Sequence, residues 1–211
     1  MNYKDILKSD YFNETYKKIE EMKKDFPVNH GFVHINNVIK NAKRLSKVFD
    51  LSSYEESLLL VACALHDIGY LEGRDDHAFN GSLLAKKYLS DNGVEFRDIE
   101  VICDAIKNHG GKKISDLYNP VSMCLTIADK LDFVSSRYNK DMLDEEKSKI
   151  FPCILDTYID VDEEVVLNVV INNEFSCSLF ENSSYYRKLM EFMNLVSNFI
   201  GKKYKIEYIC E

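Results

Sequence analysis

Residues 57–66 read SLLLVACALH, and Asp67 follows at once. The run is too long for an ordinary strand and carries almost no polar face, so it predicts a helix that is apolar all round. Such a helix has to lie at the centre of a bundle, with other helices wrapped around it. It ends in two ionisable residues, His66 and Asp67, and Gly69 is placed to act as a left-handed terminator.

Outward from this centre the helical period continues in both directions. Residues 3–24 predict one amphipathic helix with Leu7, Tyr11, Ile19 and Met22 inward, stopped by Pro27 and a turn at Asn29-His30-Gly31. A second helix places His34, Val38, Ala42, Leu45 and Phe49 on one stripe. After the central helix comes a polar loop, LEGRDD (71–76), whose Glu72, Asp75 and Asp76 read as caps and surface charge. The next helix starts at His77 and turns Gly81, Leu84 and Tyr88 inward. A fifth, from about 96, carries Ile99, Ile102, Ile106 and His109 and is closed by Gly110-Gly111. Lys112-Lys113 behind it reads as a solvated loop. A sixth, from about 120, carries Val121, Leu125, Asp129 and Asp132.

Near residue 154 the texture changes to β-branched runs. EEVVLNVVINNEFSCSLF (163–180) predicts a hairpin turning at Asn172-Asn173, with Phe175, Cys177 and Leu179 alternating on its second strand. A helix over about 184–200 follows, ended by Gly201, and KYKIEY predicts a last strand. The expected architecture is mostly α: a helical domain over 1–150 and a small α+β extension over 151–211, an antiparallel hairpin plus helix packed on the first.

Composition narrows the function classes. A hydrophobic fraction of 45% with 13 Tyr and 12 Phe supports a folded core, and a net charge of −8 disfavours nucleic-acid polymers and anionic membranes. No apolar run reaches membrane-span length, and the N-terminal residues lack a signal-type apolar core. The six cysteines are widely spaced without a C-x-x-C pair, and Cys63, Cys103 and Cys124 fall inside apolar helical patterns. Together these predict a reduced, cytoplasmic protein.

The chemistry gathers on four predicted helices, which bring His34, His66, His77 and His109 to an apolar face or end. Asp67 and Asp129 lie in equally apolar surroundings, the second within CLTIADKLDF. Buried carboxylates are costly unless a cation or a metal compensates them. Imidazole and carboxylate together, with no thiolate, suit a catalytic divalent ion (Mn, Fe, Co, Mg, Ni or Zn) rather than structural zinc.

The ordered set His34, His66-Asp67 and Asp129, within GFVHINNVIKNA, ACALHDIGY and TIADKLDF, resembles the HD-domain superfamily of metal-dependent phosphohydrolases over roughly residues 28–137. His77 in DHAFNGSLLA and His109 in IKNHGG match two further histidines of many members, and His30 resembles an extra histidine of one subgroup. The resemblance implies a helical bundle holding one or two metals. His34, His66, Asp67 and Asp129 would be ligands of the first, with His77 and His109 available to a second metal or to the phosphate. It implies hydrolysis of a small phosphate ester, often a nucleotide, with Asp67, His77, His109 and Lys130 as the catalytic set. One departure is Tyr70, where many members carry a lysine; Arg74, Lys112, Lys113, Lys130 or Arg137 would then supply the missing charge. Relatives that hold two irons and activate oxygen, and relatives that bind nucleotides without cleaving them, define two alternative functions. A homodimer is compatible with all three.

Overall fold

The computed structural model describes residues 1–22, 27–110 and 119–211. Lys112 and Lys113 lie outside the described residues.

The central helix is α4 (Ser53–Leu65), in which every residue from Leu58 to Leu65 is buried. Its start is set by a capping box: the Ser52 hydroxyl accepts from the Glu55 amide, and the Glu55 carboxylate accepts from the Ser52 amide. Around it pack α1 (Tyr3–Lys8), α3 (Phe32–Val48), α6 (Phe96–Asn108) and α7 (Pro120–Lys130), with α5 (His77–Asp91) against α6.

The N-terminal segment forms two helices rather than one. Ser9 is extended (ψ 147°) between α1 and α2 (Asp10–Glu21), and its hydroxyl accepts from the Phe12 amide as the cap of α2. A serine at such a break recovers a helix-end hydrogen bond that an apolar residue would lose.

Gly69 is not the left-handed terminator of α4. That helix passes through His66 into a tight turn over Ile68–Glu72, and the left-handed glycine is Gly73 (φ 108°). Gly69 is required for space: a Cβ there would lie 1.9 Å from the His77 carbonyl and 2.4 Å from the Gly81 amide nitrogen. Two glycines thus let the turn after His66-Asp67 touch the backbone of α5. At the start of α5, Asp76 occupies the cap position in a left-handed conformation (φ 55°) and makes no side-chain cap bond, contrary to the capping expected of it. Asp132 falls just past the end of α7 rather than on it, because Leu131 caps that helix.

Past the short helix α8 (Glu145–Ile150), the tail holds strands β1 (Ile154–Val161), β2 (Val165–Ile171) and β3 (Tyr204–Cys210) in the order β1-β2-β3. The hairpin turns at 162–164, not at Asn172-Asn173, and pairs Ile159 with Leu167. The stretch expected to alternate as its second strand contains helix α9 (Cys177–Glu181) instead, capped by the Ser176 hydroxyl. Strand β3 runs parallel to β2, so the sheet is mixed rather than antiparallel. A parallel neighbour requires a crossover, here α9 and α10 (Ser184–Ile200). Gly201, at φ 73°, ends α10 as expected. Strand β2 is central, which is why VVLNVVI is apolar on both faces instead of alternating.

The tail packs onto the bundle near the end of α7. The Thr157 hydroxyl donates to the Leu131 carbonyl, and the Tyr185 hydroxyl donates to the Lys130 carbonyl at 3.3 Å. Lys40 of α3 meets Asp156 of β1 at 2.7 Å. Among the described residues no helix is long and apolar enough to cross a membrane.

Candidate metal centre

His34 comes from α3, His66 and Asp67 from the end of α4, His109 from the end of α6, and Asp129 from α7. All five are essentially excluded from solvent. The His34 Nε2 lies 3.1 Å from His66 Nε2, 3.2 Å from Asp67 Oδ2 and 3.3 Å from Asp129 Oδ1. Asp67 Oδ2 is 3.3 Å from His66 Nε2, and Asp67 Oδ1 is 3.4 Å from His109 Nε2. Among the described residues three overlapping groups could hold an ion: His34, His66 and Asp129; His66, Asp67 and His109; and His30, His34 and Asp67.

The far side of each ring decides what its near side offers. The Nδ1–H of His66 donates to the Cys63 carbonyl (2.9 Å), and that of His109 donates to the Ile106 carbonyl (2.6 Å). A carbonyl only accepts, so the proton sits on Nδ1 and each Nε2 turns a lone pair inward. His34 Nδ1–H donates to Asp132 Oδ2 at 2.6 Å, while Asn37 donates to the other Asp132 oxygen at 2.8 Å. This carboxylate–imidazole pairing is the usual outer support of a metal-ligating histidine.

Lone pairs of His66 and His109 and two buried carboxylates therefore converge on one region, which calls for positive charge. Burial works against ionisation of Asp67, yet His66, His30 and His109 hold it well below the usual carboxylate range. Burial likewise opposes the charge on Asp129, and Lys130 and Arg137 overcome it. Burial and Arg137 both disfavour a charged His34, but hydrogen bonds to Asp129, Asp132 and Asp67 outweigh them and push it up to about 10. A proton on His34 Nε2 and a divalent cation are thus alternative ways to meet the same demand, and the donor set fits such a cation.

Four residues at the site went unassigned or only loosely assigned from the sequence. Asp132 carried the same signal as Asp129, a carboxylate in an apolar stretch, but its partnership with His34 depends on the fold. Asn37 gave no signal of its own. His30 donates from Nδ1 to Asp67 Oδ2 at 2.7 Å, and burial lowers it to about 4. Arg137, named only as one of five possible cations, points into the centre. Its Nη1 donates to the carbonyls of Asp129 (3.0 Å) and Asp132 (2.9 Å), and its Nη2 lies 3.2 Å from Asp129 Oδ1. It is brought there by Asn29, whose amide donates to the Arg137 carbonyl at 2.7 Å beside the bridge between Val28 and Tyr138.

The remaining expected site residues lie at the edge. His77 is half-buried; its Nδ1–H donates to the Arg74 carbonyl at 3.0 Å, and its ring stands edge-on to His109 at 5.2 Å. Among the described residues it joins none of the three ion-holding groups. Lys130 Nζ contacts Asp129 Oδ2 at 2.5 Å. Tyr70 is buried between the rings of His30 (4.0 Å) and His77 (4.4 Å), so an aromatic wall stands where a lysine was the resemblance's expectation.

Residues 31–134 match the model of a protein family, the HD domain. No curated protein matches the chain. A crystal structure described as a "predicted HD superfamily hydrolase", from an uncultured Thermotogales bacterium, is similar at 22% identity. The similarity covers 64% of this chain and 75% of that one, with a TM-score of 0.45.

Proposed function

This chain carries an HD domain over residues 31–134, and from that premise we propose that it is a metal-dependent phosphohydrolase acting on a small phosphate ester, a nucleotide or related metabolite. The observation that supports this best is the convergence of imidazole lone pairs with the Asp67 and Asp129 carboxylates in a buried cluster among four helices. His34, His66, Asp67 and Asp129 would hold a first ion, and His109, which faces the second oxygen of Asp67, would serve a second.

A bound divalent ion supplies water of lowered pKa and neutralises charge on phosphoryl oxygens. The chain's own groups set the conditions for that chemistry. Asp132 and Asn37 fix the His34 ring, while the Cys63 and Ile106 carbonyls fix those of His66 and His109. Lys130 and Arg137 keep Asp129 ionised and offer cationic donors for a substrate anion, a role that needs no lysine at position 70. His77 stands next to His109, half-exposed; with its Nδ1–H on the Arg74 carbonyl, its Nε2 can take a proton from water and, as the imidazolium, pass one to a phosphate oxygen or leaving group.

The test is a metal-supplemented screen over phosphomonoesters, nucleotides, dinucleoside polyphosphates and phosphodiesters, run beside metal analysis of the purified protein. Bound divalent metal and hydrolysis of at least one class, both lost in Asp67→Ala, are the expected results. An Asp67→Ala variant with full metal content and normal turnover would refute the assignment. Iron with oxygen-dependent turnover, or tight binding of a nucleotide that stays intact, would favour the two alternatives.

A further inference from the structure

Beside the metal centre a cleft of ≈ 410 Å³ opens between the bundle and the C-terminal helix α10. One end is formed by Gly110, next to His109, and by Lys130, whose ammonium touches the Asp129 carboxylate. The other wall belongs to α10: Tyr185, Lys188, Leu189 and Phe192 follow one another at i, i+3, i+4 and i+7, so they share a single helix face. The volume lies in the range of small-molecule sites, and the lining combines apolar side chains with two cations, Lys130 and Lys188. Lys188 is exposed, while Leu189 and Phe192 are buried at the base.

The position of α10 here is built. The Tyr185 hydroxyl donates to the Lys130 carbonyl, and its ring packs on Phe133 at 5.3 Å and edge-on to Phe151 at 5.1 Å. The first turn of the helix is therefore tied to the residue that follows Asp129. All of α10 lies beyond residue 134, outside the segment matched by the HD family model.

Resting on the phosphohydrolase reading, we infer that this cleft recognises the organic portion of the substrate, an apolar or aromatic group esterified to the phosphate, with Lys188 drawing the anion in. Half-buried Tyr185, with the small exposed parts of Leu189 and Phe192, supplies the surface against which a ring lies. Glu191, also at the cleft and exposed, opposes Lys188 and disfavours further negative charge at that end. The ligand class that follows is an aryl- or base-bearing phosphomonoester rather than a polyanion.

The test uses the full chain loaded with Mn and measures binding of phenylphosphonate, which cannot be hydrolysed at a P–O ester, against methylphosphonate. Lys188 and Glu191 are exposed, so Lys188→Glu and Glu191→Lys are expected to fold normally. Phenylphosphonate should bind more tightly than methylphosphonate. Lys188→Glu should weaken it about tenfold, the scale of one charge-assisted contact, and Glu191→Lys should strengthen it. With phenyl phosphate as substrate, the same changes should appear in KM with kcat nearly constant. Equal affinity for the two phosphonates, no binding of either, or unchanged affinity in both variants would overturn the inference. Binding that follows the predicted order in a protein that hydrolyses no ester would leave the cleft standing and defeat the phosphohydrolase reading.

Discussion

Asp132→Asn tests the support beneath the metal centre while removing no proposed ligand. The native carboxylate is fully used: one oxygen accepts from His34 Nδ1–H at 2.6 Å and the other from Asn37 at 2.8 Å. An asparagine side chain turns an NH₂ group toward one of these donors. Facing His34, it would force the imidazole proton onto Nε2 and cancel the inward lone pair. Facing Asn37, it lets that amide flip and leaves His34 with a neutral acceptor in place of an anion. The second arrangement is the cheaper one, because it breaks no contact outright. Loss of such an outer carboxylate typically lowers metal affinity by roughly 10–100-fold, or about 1.4–2.7 kcal/mol. A chain of 211 residues shifts its Tm by about 2–4 °C per kcal/mol. At a fixed, near-saturating Mn concentration the metal-induced rise in Tm should therefore shrink by about 3–11 °C. Thermal denaturation with and without Mn, paired with calorimetric titration of the metal, reads both quantities. A variant whose Mn affinity stays within twofold of the parent would refute the argument that Asp132 sets the state of His34.

Gly69→Ala should destabilise the chain by at least 1–3 kcal/mol and lower metal affinity, because its Cβ would meet the His77 carbonyl and the Gly81 amide of α5; an unchanged denaturation midpoint would contradict that packing. Ser52→Ala removes the cap of α4 and should cost about 0.5–2 kcal/mol, measurable by urea denaturation, and an unchanged midpoint would argue against the capping box. Hydrogen bonds from Ser52 hold the Glu55 carboxyl below its ordinary value in the folded chain. This contribution is present above the unfolded Glu pKa and is lost as pH falls through the lower folded one. A carboxyl-detected NMR titration should find Glu55 depressed in the parent and raised part of the way back in Ser52→Ala, which removes the hydroxyl's bond and keeps the backbone amide's. Chelation of the metal should lower Tm in the parent and leave Asp67→Ala unmoved; equal shifts in both would show that the ion sits elsewhere.

The residues that would hold a metal were legible one element at a time. The apolar run 57–66 demanded a central helix, and the buried charge at its end demanded compensation, whatever packed around it. The same logic marked His34, His109 and Asp129 from their own helices, and glycine at 201 marked the end of α10 from backbone preference alone. What sequence periodicity does not carry is the identity of the partner face. His34 meets Asp132 across 98 positions, and Asp67 meets His30 across 37, so those bonds follow from how helices stack. Strand β3 is apolar enough to join a sheet, but only the crossover through α10 makes it a parallel neighbour of β2. The hairpin was misplaced for a related reason: Asn172-Asn173 has the chemistry of a turn, yet β2 is a central strand and 162–164 is where β1 reverses. Arg137 shows the limit most plainly. Nothing in its neighbourhood distinguishes it from other surface arginines; the loop paired with Val28 and Asn29 turns it inward, and burial between two carboxylates gives it its place in the centre.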